Sequence, residues 1–350
     1  MTTNESVEAP PVIADVHPQQ SPGGGSQTPS TALHAQAALL LASGCAFVAL
    51  AGVAAPWLWL GELAVHWSGH AALGLLPALV IWRRRPRYAV VLTLLTMIAV
   101  IPGIRSLVEP RLPAVAPVAP AAPVEIGQTA SLPITVAFAN AYDFNRERTT
   151  AMHTIAALTA DVVGLAEVSA QDRPLLAVTR WPFQHWEDRA GTLSVALLSA
   201  YPIISTTLHD AHGAGILEAA IDLGQEHPLR VIVAHLCSPK NVTRETLRNG
   251  QLQMLVDLAT VDGKPLLLMG DLNISSSSPH WRTFIRGSGL RRAPGLSPAT
   301  WPAVLGPGGI GIDHLLARNL GLTTAQPFSL PGSDHRGLRA TAWLRTEGKD

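Results

Sequence analysis

The sequence predicts a layered domain of mixed strands and helices, α/β or α+β, preceded by three membrane-spanning helices. Three observations carry that expectation. Only 14% of the 350 residues are charged, where a soluble domain carries about 25%. The deficit lies at one end, with no Asp, Glu, Lys or Arg between Asp15 and Glu62. From Leu132 onward the composition is that of an ordinary globular domain, in which short apolar runs alternate with helix-like stretches.

Residues 1–31 are rich in Pro, Ser, Gln, Gly and Thr and read as a disordered tail. They have no basic start, so they do not resemble a cleaved signal peptide. Residues 32–104 hold three apolar runs: Ala37 to Leu60 (24 residues), Leu63 to Trp82 (20) and Tyr88 to Ile104 (17). A helix needs about 20 residues to cross the hydrocarbon core. The second run is the weakest span, because it contains His66, His70 and Pro77. Trp57, Trp59, Trp67 and Trp82 suit membrane-interface positions. His66 and His70 stand four apart, a spacing open to metal binding, though an interfacial position suits them better.

Arg83, Arg84, Arg85 and Arg87 crowd the short connection between the second and third runs. Positive loops stay on the cytoplasmic side. The expected localisation is therefore the cell membrane, multi-pass, with a cytoplasmic N-terminus and everything after Ile104 extracytoplasmic. Arg105 to Ser131 interleaves Pro110, Pro113, Pro117, Pro120 and Pro123 with Ala and Val, which predicts an extended, semi-rigid spacer.

The domain proper spans residues 132–346. Strands are expected at Ile134–Ala139, Val162–Leu165, Leu193–Leu198, Ile216–Ile221, Leu229–Ala234, Leu266–Met269, His314–Ala317 and Leu338–Trp343. Helices are expected at Arg148–Thr159 and Arg244–Leu258. From Leu132 on, 19 Lys+Arg balance 19 Asp+Glu. That balance provides no basic footprint for non-specific nucleic-acid binding. The two cysteines, Cys45 and Cys237, lie in different parts of the chain and form no disulfide framework.

Polar residues cluster at the ends of these strands, where a rigid scaffold presents chemistry. Asn140, Glu167 and His235 each close an apolar run, and each taken alone has an ordinary structural reading. Asp271 and Asn273 sit two apart in Gly270-Asp271-Leu272-Asn273, a spacing that puts both on one face of an extended chain; an Asx turn is the alternative. Asp313 precedes His314, and Asp334-His335 occupies a loop before the last strand. Carboxylates and amide oxygens suit Mg²⁺, and a histidine oriented by a carboxylate can deprotonate an attacking water. No Cys/His cluster with zinc spacing is present. Gly306 to Gly311 matches GxGxxG but does not lead into a helix, so it fails the context of a dinucleotide loop.

In order and type these residues resemble the endonuclease/exonuclease/phosphatase superfamily, the DNase-I-like fold, over about Leu132 to Leu344. Thr300-Trp301-Pro302 adds to the likeness. The resemblance implies a four-layer α/β sandwich: two packed mixed sheets flanked by helices. It implies Glu167 as the main metal ligand, aided by Asn140 and Asp334, with Mg²⁺ or Mn²⁺ as cofactor. It further implies His335 as general base oriented by Asp313, Asp271 and Asn273 positioning the water, phosphate or leaving group, and His235 on the phosphoryl oxygens.

The spans, arginine loop and Pro-rich spacer are similar to the bacterial VanJ-like glycopeptide-resistance membrane proteins. That likeness implies a phosphatase on a lipid-linked polyprenyl diphosphate, with the bilayer as partner and no protein partner. The competing functions are an extracytoplasmic nuclease or general phosphodiesterase, and a non-catalytic sensor.

Overall fold

The computed structural model describes residues 29–109, 111–112, 133–177, 180–188, 193–211, 213–225 and 227–344. It begins with four helices: α1 (Pro29–Val53), α2 (Trp59–Val65), α3 (Ser68–Trp82) and α4 (Pro86–Leu107). The catalytic part follows as β1 (Ile134–Asn140), α5 (Arg148–Ala156), β2 (Val162–Ala166), α6 (Arg173–Leu176), β3 (Phe183–Glu187), β4 (Val195–Ser199), β5 (Ile203–Ala211), β6 (Ala214–Ile221), β7 (Leu229–His235), α7 (Val242–Thr260), β8 (Leu266–Asp271), α8 (Pro279–Ser288), β9 (Arg291–Arg292), a 3₁₀ turn (Ala303–Gly308), β10 (Asp313–Arg318), β11 (Leu320–Leu322), β12 (Gln326–Ser329) and β13 (Arg336–Leu344).

Two helices are long and apolar enough to cross a bilayer, over Gln36–Val53 and Pro86–Arg105. The expected second span, Leu63 to Trp82, differs from a single straight helix. It is divided between α2 and α3, which meet at a 69° bend. Small residues at the contacts let α1, α3 and α4 approach closely: Ala42, Ala49, Ala71, Ala78 and Ala99 are buried there.

The expected tail is described only from Pro29, where α1 has already begun; residues 1–28 lie outside the described residues. The expected spacer also starts differently. Helix α4 continues to Leu107, and the next residues dock on the domain that follows. Glu109 accepts from Trp281 Nε1 at 2.9 Å and pairs with Arg292 at 3.1 Å. Leu112 is buried in the core and donates its N–H to the Arg292 carbonyl at 3.0 Å. The rest of the spacer, 113–131, falls outside the described residues.

The strands form two mixed sheets. One has the order β11-β13-β1-β2-β4-β3, with β12 added beside β13; the other has the order β5-β6-β7-β8-β10-β9. The pairs β1–β2 and β7–β8 are parallel and the rest antiparallel. The inner faces pack Val136, Phe138, Val195 and Leu197 against Leu217, Val231, Val233 and Met269. Met152, Ile155, Leu176 and Trp181 cover the outer face of the first sheet. Leu252, Leu255, Trp281 and Phe284, on α7 and α8, cover the second. The expected four-layer α/β sandwich is therefore present.

All eight expected strands and both expected helices form. The strands not foreseen are marginal ones. β3 and β5 are sheet edges with no fully buried face over most of their length, so period-2 alternation is weak. β9, β11 and β12 are two to four residues long. Helix α8, not among the expected helices, carries clear end signals. Ser278 caps it, Pro279 opens it and Gly289 closes it in the left-handed region.

Candidate active site

Strand register brings the site together. His235, Asp271 and Asp313 stand side by side across β7, β8 and β10. Asn140 ends β1 opposite Ala166, and Glu167 follows one residue later. Residues paired in register point to the same side of a sheet, so the two sheets contribute one row each to a common end. The glycine of Gly270-Asp271 has a steric cause: a Cβ there would collide with the Ala234 carbonyl oxygen on β7.

Asn140 Nδ2 donates to Glu167 Oε1 at 3.0 Å and to Asp271 Oδ2 at 3.1 Å. Its amide oxygen accepts from the Tyr142 N–H at 2.9 Å. Asn140 thus bridges the two carboxylates through its donor side. Glu167 Oε2 accepts from the Asp143 N–H at 2.7 Å. Asp271 Oδ1 accepts from the Asn273 N–H at 2.9 Å, and its other oxygen lies 3.5 Å from His235 Nε2 and 3.6 Å from His335 Nε2. Asn273 holds a left-handed φ of 49° and donates its amide to the Leu236 carbonyl at 2.9 Å.

His335 donates from Nδ1 to Asp313 Oδ2 at 2.9 Å. Its backbone N–H bonds Ser333 Oγ at 3.0 Å, and that hydroxyl donates to the Asn140 carbonyl at 2.8 Å. Ser333 therefore stitches the His335 loop to the end of β1. Asp334 is held by Trp301 Nε1 at 3.1 Å. Thr300 Oγ1 accepts from the N–H groups of Ile312 and Asp313. All eight residues expected from the sequence meet at this end of the sandwich.

The electrostatics are those of crowded carboxylates. Burial raises Asp271, His335 opposes this, and Asp313 and Glu167 reinforce it, leaving Asp271 at about 8. Burial by itself would lower His335. The charges of Asp313 and Asp271, the Asp313 hydrogen bond and Asp334 outweigh it and push His335 up to about 10. The carboxylates crowded around the His335 ring thus favour its charged form.

The donor set fits a hard divalent cation. It is rich in oxygens, and Asp334 Oδ1 is buried with no hydrogen-bond partner. Glu167 and Asp334, with Asn140 orienting Glu167, are the residues that would hold it. Ligand atoms of Asp271, Asp313 and His335 also lie within 4.8 Å of one another. The His335–Asp313 hydrogen bond and the 3.6 Å approach of His335 Nε2 to Asp271 account for that closeness.

Several residues of the site had not been anticipated. Arg148 on α5 grips Asp172 with Nε (2.9 Å) and Nη2 (2.6 Å), and donates to the carbonyls of Tyr142 (2.8 Å) and Glu167 (2.6 Å), fixing the loops that carry the site. The cleft above the carboxylates, about 490 Å³, is lined by Lys240, Arg244, Phe144, Trp301 and Ile310, and also by Leu63, His66 and Trp67 from the α2–α3 bend. His66 Nδ1 meets Ser275 Oγ at 2.7 Å, His70 Nε2 meets the Gly308 carbonyl at 2.6 Å, and Trp59 Nε1 donates to the Pro239 carbonyl at 2.7 Å. Trp67 packs edge-on against Trp301, 6.5 Å between centroids. These histidines and tryptophans, expected at a membrane interface, touch the following domain. Of the cleft residues, Trp301 was tied to the site by sequence, through Thr300-Trp301-Pro302.

The endonuclease/exonuclease/phosphatase family profile matches residues 137–335. Among solved structures, the endonuclease/exonuclease/phosphatase from Beutenbergia cavernae is 18% identical, with 61% of this chain and 72% of that one covered and a TM-score of 0.51. A humanized D. rerio TDP2 is 14% identical, with 60% and 98% covered and a TM-score of 0.50. Both likenesses are of fold. No curated protein matches the chain.

Proposed function

The chain belongs to the endonuclease/exonuclease/phosphatase family, and from that premise we propose that it is a membrane-anchored phosphatase acting on a lipid-linked diphosphate. Membership makes it a metal-dependent phosphoester hydrolase. The substrate reading rests on one observation: apolar Leu63 and Trp67, from the helical segment beside the candidate spans, wall the same cleft as Lys240, Arg244 and the catalytic carboxylates. Such a cleft has a cationic side for a phosphorylated head and an apolar side for the first carbons of a chain. The likeness to VanJ-like proteins supports a polyprenyl diphosphate, and with it a part in glycopeptide resistance.

A bound Mg²⁺ would neutralise charge on the phosphoryl group and offset the carboxylates that hold His335 protonated. The chain's own residues do the remainder. Asp313 fixes the tautomer and direction of His335, whose Nε2 faces the cleft for water activation. His235, on the other side of Asp271, hydrogen-bonds the phosphoryl oxygens. Asn273 positions the water or leaving group. The arginines at positions 83–85 and 87 support an extracytoplasmic catalytic part.

The test uses purified full-length protein with Mg²⁺ on undecaprenyl diphosphate, bis-p-nitrophenyl phosphate and single-stranded DNA. Phosphate release from the lipid is expected to be the fastest reaction. DNA cleavage without phosphate release from the lipid would overturn the reading in favour of a nuclease.

A further inference from the structure

The α2–α3 bend walls a second cavity, about 210 Å³ in volume, away from the catalytic carboxylates. Its apolar lining includes Val53 of α1 and Ile98 and Ile101 of α4, the two helices of membrane-crossing length. Its polar lining is Ser68, Arg105, Ser277 and Arg282. Ser68 is 2% exposed, and its hydroxyl is buried with no hydrogen-bond partner. A buried hydroxyl left unpaired is destabilising, so a ligand that bonds it is favoured. Ser68 also opens α3, whose N-cap, Trp67, contributes no side-chain bond. The first turn of a helix presents N–H groups without intrahelical acceptors and carries a partial positive charge.

The two arginines add full charges. Among the described residues neither has a carboxylate partner. Burial, then the positive charges of Arg105 and Arg286, push the Arg282 guanidinium down. A pair of like charges beside an orphaned hydroxyl and an uncapped helix start calls for an anion. The apolar walls from α1 and α4 call for one that carries hydrocarbon.

We propose that this cavity binds the phosphate headgroup of an anionic membrane lipid, separate from the catalytic cleft. The phosphate sits between Arg105 and Arg282 and accepts from Ser68, while an acyl chain follows Val53, Ile98 and Ile101. Arg282 belongs to α8 of the catalytic part and Arg105 to α4, so one lipid joins the two and braces the bend that lines the cleft. The inference requires α1 and α4 to lie in a bilayer; it does not depend on the substrate.

The experiment measures radiolabelled phosphatidylglycerol retained by full-length protein in a neutral detergent. Phosphatidylcholine and inorganic phosphate serve as competitors. Wild type is expected to retain about one phosphatidylglycerol, displaced poorly by either competitor. Loss of two basic side chains at an anionic surface (Arg105→Gln with Arg282→Gln) is expected to weaken retention by about tenfold or more. Ser68→Ala should weaken it by a few-fold, and Arg105→Lys with Arg282→Lys should retain most of it. Arg83→Gln with Arg84→Gln, at exposed positions between α3 and α4, should change nothing. Equal loss in that pair, or no loss in the first, would overturn the site. Displacement by inorganic phosphate at comparable concentration would make it a free-anion site and overturn the lipid.

Discussion

At Glu167 the backbone holds a φ of 53° directly after β2, a region that costs a non-glycine residue about 1–2 kcal/mol. Strain of this kind collects where surrounding bonds over-determine a geometry. Here those bonds are Asn140 to Oε1, the Asp143 N–H to Oε2 and Arg148 to the Glu167 carbonyl. Glu167→Gln keeps the shape and removes the charge. Its hydrolysis rate is expected to fall about a hundredfold or more, with an unchanged circular dichroism spectrum. Asp313→Asn removes the leading charge that raises His335. It should lower the ring's pKa, read by NMR, and slow turnover about a hundredfold.

His314 gives a cleaner titration. Burial dominates and lowers it to about 4, against its bond to the Ile274 carbonyl at 2.8 Å. Its folded pKa lies below the ordinary 6.5, so the stability it contributes is complete above that pH. It is lost as pH falls from 6.5 toward 4, by about 2 kcal/mol at pH 5. His314→Phe preserves the stack on Trp281, 4.2 Å between centroids. Comparing melting temperatures at pH 7.5 and 5 should show a smaller acid loss in this variant. An equal loss in both proteins would refute the assignment.

Among the elements, α2 is the one whose sequence and position disagree most. It carries Glu62 in an otherwise uncharged run. In the fold Glu62 is fully buried, takes a 2.7 Å bond from Arg248 of α7 and accepts from Ser278 Oγ. Arg248 in turn donates to the Asn273 carbonyl at 2.9 Å. The segment beside the spans is thereby tied to a residue of the site. Breaking a buried pair from one side costs about 3–5 kcal/mol, mostly through the charge left behind. Glu62→Gln should lower the melting temperature of the detergent-solubilised protein sharply, and Glu62→Gln with Arg248→Gln should recover part of it. Trp67→Ala tests the cleft wall: KM for a prenyl diphosphate should rise several-fold, with that for bis-p-nitrophenyl phosphate unchanged. Equal changes for both substrates would refute the apolar wall.

For the whole molecule, the sidedness expected from the arginine loop is open to direct labelling. With Cys45 and Cys237 replaced, Ser205→Cys on exposed β5 should react with a membrane-impermeant maleimide on intact cells. Arg85→Cys should react only after lysis. The reverse pattern would place the catalytic part in the cytoplasm. The catalytic part is not held at the end of a free spacer: Glu109 to Arg292, His70 to Gly308 and Glu62 to Arg248 dock it directly on the helices.

Sequence alone picked out the candidate site residues and their order, and through the family resemblance the two-sheet sandwich. Each of Asn140, Glu167, His235, Asp271 and Asp313 is tied to the end of a strand whose apolar run is visible locally, and Gly270 marks where β8 presses on β7. Tertiary structure decided where α2 lies, what Arg148 and Arg248 hold, and that two edge strands exist. Those outcomes depend on contacts such as Glu62 with Arg248 and Trp59 with Pro239, each more than 170 residues apart. Periodicity reports only which face of an element is apolar. The apolar side of α2 reads as a lipid face in sequence, and in the folded chain its Leu63 lines the cleft.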